Sequence, residues 1–300
     1  MKRKLALLLV LTIFIGLFPD LSARSQARLS TDEMGRNVRV PQAPKKIISL
    51  APSITEILFA LGLNKEIAGV TDFCDYPEAA SKKPRIGGFI NPGIEKIVST
   101  RPDLIIGIRD GNRMETIHRL SDLGLPVYIV DPKGFDGVIT SLQKIGEIVG
   151  RQEDSRKIIA EMMTRKQKII SLTRSLPRPK VFFQIGYFPM ITVGKGALAN
   201  ELIRLAGGRS ISEDESVEYP PFNFEIVVQK APEIIILSSM ESKRDYSSFI
   251  EMWQKWKSIP AVRMNAIHVV DSSIVDRPTP RIVEGLDALV RIIHPELFKK

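Results

Sequence analysis

The chain has 300 residues and a formal net charge of +9, from 43 Lys and Arg against 34 Asp and Glu. The bases are scattered and not interleaved with aromatic side chains, which argues against a nucleic-acid surface. Cys74 is the single cysteine, so an internal disulfide and a cysteine-based zinc cluster are excluded and stability has to come from packed cores.

Residues 1–27 read as an export signal. Lys2, Arg3 and Lys4 form a basic head, residues 5–18 are uncharged and apolar, and Ser25-Gln26-Ala27 places small residues at −3 and −1 of a cleavage site after Ala27. The 14-residue apolar run falls short of the roughly 20 residues needed to span a bilayer. No cysteine stands near the junction for lipid attachment, so the expectation is a free, soluble periplasmic protein. Lys2, Arg3, Lys4 and Arg24 leave with the acid Asp20, which lowers the charge to +6.

Residues 28–150 read as a first α/β lobe. Apolar strands are expected at 46–50, 104–108 and 127–130, with helices at 53–61 and 138–149. Between 151 and 176, Ile158, Ile159, Met162, Met163, Ile169 and Ile170 recur at helical spacing. A helix of about 25 residues would be roughly 38 Å long, enough to run the length of two lobes; Pro177 and Pro179 then stop it. Residues 177–300 read as a second lobe, with strands at 181–184, 234–237 and 267–270 and a helix at 282–293. Short apolar runs alternating with helices indicate parallel sheets covered on both faces.

The two lobes repeat each other. EKIVSTRPDLII at 95–106 returns as EIVVQKAPEIII at 225–236, and Glu56-Ile57-Leu58 with Gly62 returns as Glu201-Leu202-Ile203 with Gly207. The pentapeptide at 127–131 returns at 267–271, and the helical pattern from 138 returns from 282. The offsets of 130, 145, 140 and 144 residues are those of a duplicated unit whose loops have changed length. Phe89 stands six residues before Glu95, and Tyr219 six before Glu225, so the repeat sets one ring in each lobe at equivalent loop positions. Ligands of open α/β sheets bind beyond the carboxyl ends of the strands, which here would face each other across a cleft. Core packing is the alternative for each ring.

Several stretches together resemble the helical-backbone periplasmic substrate-binding proteins of ABC importers, within them the cobalamin-binding branch: PKKIISLAPSITEILFALG, GVTDFCDYPEAA at 69–80, the Glu95 motif, VFFQIGYFPMITVGKG at 181–196 and DRPTPRI at 276–282. The resemblance covers essentially all of the chain after the signal. It implies two Rossmann-like lobes joined by one long α-helix, a transported ligand instead of a resident cofactor, and an inner-membrane permease dimer as partner; a monomer is the default expectation for the receptor. By position it assigns Phe73, Phe89, Ile108, Ile185, Tyr219 and Arg277 to the ligand pocket. Tyr187 and Phe188 join them from the loop expected after the second lobe's first strand. It assigns Glu95 and Glu225 to docking on permease arginines, a symmetric pair suited to a twofold partner; acids that complement helix dipoles are the other reading. The branch carries tryptophan where this chain has Phe89, Ile108 and Tyr219, which leaves cobalamin, another corrinoid, a ferric siderophore and haem all open.

Enzyme classes find little support. The chain lacks a G-x-S-x-G elbow, a Walker A sequence and H-E-x-x-H, and 50–55 offers no dinucleotide fingerprint; an exported hydrolase with scattered acids is the remaining enzyme alternative. With His118, His268 and His294 as its three histidines, the chain is poorly supplied for a bare zinc or manganese site. Cys74, beside Phe73, is either a packed thiol or a ligand to cobalt or iron.

Overall fold

The computed structural model describes residues 27–238 and 245–299, so the expected signal, apart from Ala27, lies outside the described residues. The first described element is a hairpin that the sequence reading did not anticipate, β1 (Ala27–Thr31) against β2 (Asn37–Pro41). It is tied to the first lobe: the Tyr128 hydroxyl donates to Thr31 O at 3.1 Å, and the Arg36 guanidinium donates to Val127 O at 3.0 Å.

The first lobe is built on a four-stranded parallel sheet of β3 (Ile47–Ser49), β4 (Ile67–Val70), β5 (Leu104–Ile108) and β6 (Val127–Val130), in the order β4-β3-β5-β6. β3, β5 and β6 are buried along their whole length, as expected of strands covered on both faces. Helices α1 (Pro52–Ala60), α2 (Ile94–Thr100), α3 (Met114–Asp122) and α4 (Gly134–Ile148) supply the cover. The strand β4 was not read from the sequence, because Ile-Ala-Gly-Val is short and carries a glycine.

A single helix, α5 (Gln152–Thr173), leads to the second lobe. Its 22 residues make it about 33 Å long at 1.5 Å per residue, ending three residues short of the expected stop. Lys166 reaches Asp136 of α4 at 2.8 Å, and Arg165 pairs with Asp287 farther along the chain, so the helix is fastened to both sides.

The second lobe has β7 (Lys180–Tyr187), β8 (Met190–Thr192), β9 (Arg209–Ser210), β10 (Ile234–Leu237) and β11 (Ile267–Val269). β11, β10, β7 and β9 run parallel, while β8 folds back antiparallel along the end of β7. Around the sheet lie α6 (Leu198–Leu205), α7 (Phe224–Lys230), α8 (Ser247–Gln254), α9 (Pro260–Arg263), α10 (Ser272–Val275) and α11 (Ile282–Ile293).

The repeat is visible in the backbone. α1 and α6 both run out into a left-handed glycine, Gly62 at φ 73° and Gly207 at φ 85°, the conformation glycine reaches at least cost. α2 and α7 are each seven residues long and end on a left-handed residue, Arg101 and Ala231, both at φ 50°, before Pro102 and Pro232.

Alternate strand residues divide the interior. Ile48, Ile105 and Ile129 face an aliphatic outer core of the first lobe with Ile97, Ile117 and Leu120. Phe182, Ile235 and Leu237 face an outer core of the second lobe that contains Phe222 and Trp253. The opposite faces, with Ile47, Leu104 and Ile106 from one sheet and Phe183, Ile234 and Ile236 from the other, meet in one continuous inner core that also takes in Met162 and Ile169 of α5.

Candidate functional site

The loops that follow the parallel strands on both lobes enclose a cavity of about 600 Å³, within the usual range for small-molecule sites. From the first lobe, Phe73, Phe89, Ile90, Asn91, Ile108 and Asp110 line it, along with the turn from Asp131 to Gly134. From the second come Leu198, Glu218, Tyr219, Ser272, Asp276 and Arg277. Five of the eight residues singled out from sequence, Phe73, Phe89, Ile108, Tyr219 and Arg277, are thus brought together.

Ile185 and Tyr187 lie outside this lining. The first strand of the second lobe was expected to end at 184, whereas β7 continues to Tyr187. Ile185 is half-buried against the inner core. Tyr187 is buried, its ring centroid 3.7 Å from that of Phe249, and its hydroxyl donates to Ser238 O at 3.4 Å. Phe188, next to it, is 84% exposed.

The two rings related by the repeat are held by different means. Phe89 lies across Gly111, where a Cβ would come within 2.1 Å of the ring, and Gly111 has φ 123°, a conformation closed in practice to other residues. The buried Asn112 anchors this wall: its amide donates to Leu50 O at 3.0 Å and Phe89 O at 3.1 Å, while its Oδ1 accepts from Ile108 N at 2.9 Å. One side chain therefore fixes three segments of the first lobe's cavity rim. Tyr219 is carried instead by a backbone ladder, in which Thr192 N donates to Pro220 O at 3.1 Å and Gly194 N to Glu218 O at 2.8 Å. The sequence reading missed Asn112; its signal was a polar residue four positions after the end of an apolar strand.

Arg277 lines the cavity as part of an interlobe network. Its Nη1 donates to Asp75 Oδ1 at 2.7 Å and to Glu56 Oε1 at 3.2 Å. Arg281 reaches the other Glu56 oxygen at 3.5 Å and lies over the Tyr76 ring at 3.8 Å. Burial pushes the Glu56 carboxyl up against the pull of both arginines. Burial also raises Asp75, but the hydrogen bond and charge of Arg277 outweigh it, so that carboxyl titrates below its ordinary value. Asp276, the sequence neighbour of Arg277, stands outside this network and accepts from the Ser238 hydroxyl at 3.0 Å. Burial, with repulsion from Asp271 opposed by that hydrogen bond, raises it to about 7.

Glu95 and Glu225 sit in the first turns of α2 and α7 and are exposed, away from the cavity lining. Asn223 caps α7 by accepting from Ile226 N, while α2 starts on Gly93 without a side-chain cap. Cys74 is a packed thiol, its Sγ 3.1 Å from the Thr55 hydroxyl and 3.2 Å from that of Thr71, with burial pushing its titration up. His118 is exposed, His268 is half-buried, and the buried His294 lies 3.0 Å from Glu296. Among the described residues no three His, Cys, Asp or Glu side chains are grouped to hold a metal ion.

Comparison with known proteins places this geometry. The chain is 29% identical over 276 residues to YvrC of Bacillus subtilis (strain 168), named as an uncharacterized ABC transporter substrate-binding lipoprotein, covering 90% of this chain and 86% of that one. The crystal structure of the periplasmic vitamin B12 binding protein BtuF of Vibrio cholerae superposes with a TM-score of 0.77 at 28% identity, covering 86% of this chain and all of that one (100%). The periplasmic heme-binding protein RhuT from Roseiflexus sp. RS-1 shares the fold with a TM-score of 0.75 at 24% identity, over 84% of this chain and 98% of that one. From β3 to α10, residues 47–274 match the profile of the periplasmic binding protein family, and the chain belongs to that family.

Proposed function

We propose that this periplasmic binding protein captures a corrinoid, of the cobalamin type, between its lobes and delivers it to an inner-membrane ABC importer. The observation that carries the reading is the cavity itself: it spans both lobes and is walled by Phe73, Phe89, Ile108 and Tyr219, apolar and aromatic surface suited to a large flat ring system. The name of the Vibrio cholerae structural relative points the same way. Capture needs no bond-making, only tighter binding by the closed, ligated form, so the protein is a receptor and not an enzyme. Export directed by residues 1–27, with cleavage after Ala27, places a free monomer in the periplasm.

Glu95 and Glu225 present equivalent carboxylates, one per lobe, on matching seven-residue helices. They dock the loaded receptor on the two halves of the permease, setting orientation and encounter rate. ATP hydrolysis belongs to the transporter.

The ligand is tested by gel filtration of the purified protein with cyanocobalamin, haem and ferric siderophores, read by absorbance. Cyanocobalamin co-elutes; retention of haem or a siderophore in its place would reassign the ligand within the same fold. The docking role is tested by the double variant Glu95→Lys with Glu225→Lys, which keeps its ligand affinity and loses uptake in cells. Undiminished uptake would remove these residues from the interface.

A further inference from the structure

Charge distinguishes the cavity walls as clearly as the aromatic rings do. Four carboxylates (Asp110, Asp131, Glu218 and Asp276) and two cations (Lys133 and Arg277) line them. Both cations are already engaged, Arg277 by Asp75 and Glu56 and Lys133 by Asp131 at 3.8 Å. Asp131 is further paired with Arg109 at 3.1 Å. The other three acids have no ion-pair partner among the described residues: Asp110 and Glu218 are exposed at the rim, and Asp276 is held by the neutral Ser238 hydroxyl.

All three line the same cavity as Tyr219. The Tyr219 phenol titrates above its ordinary value through burial first, then through the charge and hydrogen bond of Glu218 and the fields of Asp276 and Asp110. The concentration of negative charge runs against the sign of the molecule, whose net charge is +9 over the full chain and +6 once residues 1–27 leave. General attraction for anions by the outer surface therefore stops at the cavity, where a ligand meets the rim carboxylates of Asp110 and Glu218 and, above about pH 7, the ionised Asp276.

We propose that Asp110, Glu218 and Asp276 are specificity-determining residues that make the cavity select a neutral or cationic ring system bearing amides over one bearing carboxylates. The inference rests on the corrinoid reading and deepens it. A ligand amide offers N–H donors to these carboxylates, and such charge-assisted hydrogen bonds are the strong ones. A ligand carboxylate offers acceptors only and is repelled, the arrangement by which binding sites reject a near-isosteric competitor. The peripheral amides of a corrin satisfy the wall, whereas propionates or acidic chelating arms meet it as like charges, with no unengaged cation among the described lining residues to receive them.

The test holds the ring constant and varies its charge. The purified protein is titrated with aquacyanocobinamide, a monocation, with neutral cyanocobalamin, and with cobyrinic acid, in which carboxyls replace the amides, following ligand absorbance at low and high salt. Affinity falls in that order, by at least about tenfold from first to last, and salt narrows the spread. The triple variant Asp110→Asn, Glu218→Gln, Asp276→Asn shrinks the cobinamide-to-cobyrinic acid ratio to about threefold or less. Asp110→Asn alone, at an exposed rim position, shifts the ratio in the same direction by less and guards against misfolding of the triple variant. Binding of cobyrinic acid as tight as that of cobinamide, or an unchanged ratio in the variants, would overturn the proposal while leaving corrinoid capture standing. Failure of every corrinoid to bind would overturn the corrinoid reading and this inference with it.

Discussion

Glu56 and Glu201 occupy equivalent places in the two lobes, each six residues before the glycine that ends its helix, and each reaches across to the other lobe. Glu201 accepts from the backbone N–H of Phe135 at 2.8 Å, in the first turn of α4. Glu56 grips Arg277 and Arg281, the latter the residue at the N-terminal cap of α11. Since α4 and α11 are themselves repeat partners, one duplicated carboxylate performs one task twice, holding the start of the opposite lobe's final long helix. The chemistry has diverged. Glu201 is a quarter exposed, with side-chain accessibility of 26%, and uses the dipole and free N–H of a helix N-terminus. Glu56, at 2%, is buried against two guanidinium groups, one of which lines the cavity. The difference shows that duplication preserved the position of the clasp and left its partner free to change, so that only the Glu56 clasp touches the ligand site through a charged side chain.

Substitution of the two glutamates separates the clasps. Glu56→Ala leaves two arginines facing an emptied buried site and costs about 2–3 kcal/mol in urea unfolding, toward the low end for a broken buried pair because Arg277 retains Asp75 and Arg281 retains Glu284. Glu201→Ala removes one charge-assisted hydrogen bond at a partly exposed helix start and costs about 1–2 kcal/mol. Equal losses would mean that the buried arginine pairing contributes no more than the helix terminus does.

A third substitution sharpens the contrast between the walls, where the first lobe's Asp131 is compensated by two cations and the second lobe's Asp276 by none among the described residues. The Asp276 carboxyl, raised to about 7 in the folded protein from an ordinary value near 3.8, takes up a proton on folding between those pH values. Its contribution to stability therefore declines as pH rises through that window, and the burial of a carboxylate weighs fully against the fold above about pH 7. Asp276→Asn should match the parent near pH 4 and melt about 2–4 °C higher at pH 8. Melting that tracks the parent at both pH values would show that the carboxyl is solvated in the folded state.

Much of this architecture was legible because buried strands leave unbroken apolar runs. Residues 104–106 and 234–236 each end in two or three consecutive Ile, and the repeat ties them together in the sequence itself. The rings Phe89 and Tyr219 were legible for the same reason, as loop residues at equal distances from repeated glutamates. What resisted was set by contacts distant in sequence. β4 is too short to announce itself, and β8 depends on pairing with the far end of β7. Tyr187 read as a loop aromatic because nothing local says that its strand runs eight residues or that Phe249 waits beside it. The arginine network joins residues 202 and 221 positions apart, and no periodicity encodes such a meeting.

The inner core that runs unbroken beneath both sheets means that neither lobe owns a closed interior. Severing the chain at α5 would bare the apolar undersides of both sheets to water, so isolated halves should aggregate, and the intact molecule should melt in a single cooperative step. Occupancy is then announced at the rim, by shifts of rings and loops bordering the seam, because a broad swing would tear open the interior on which both halves depend.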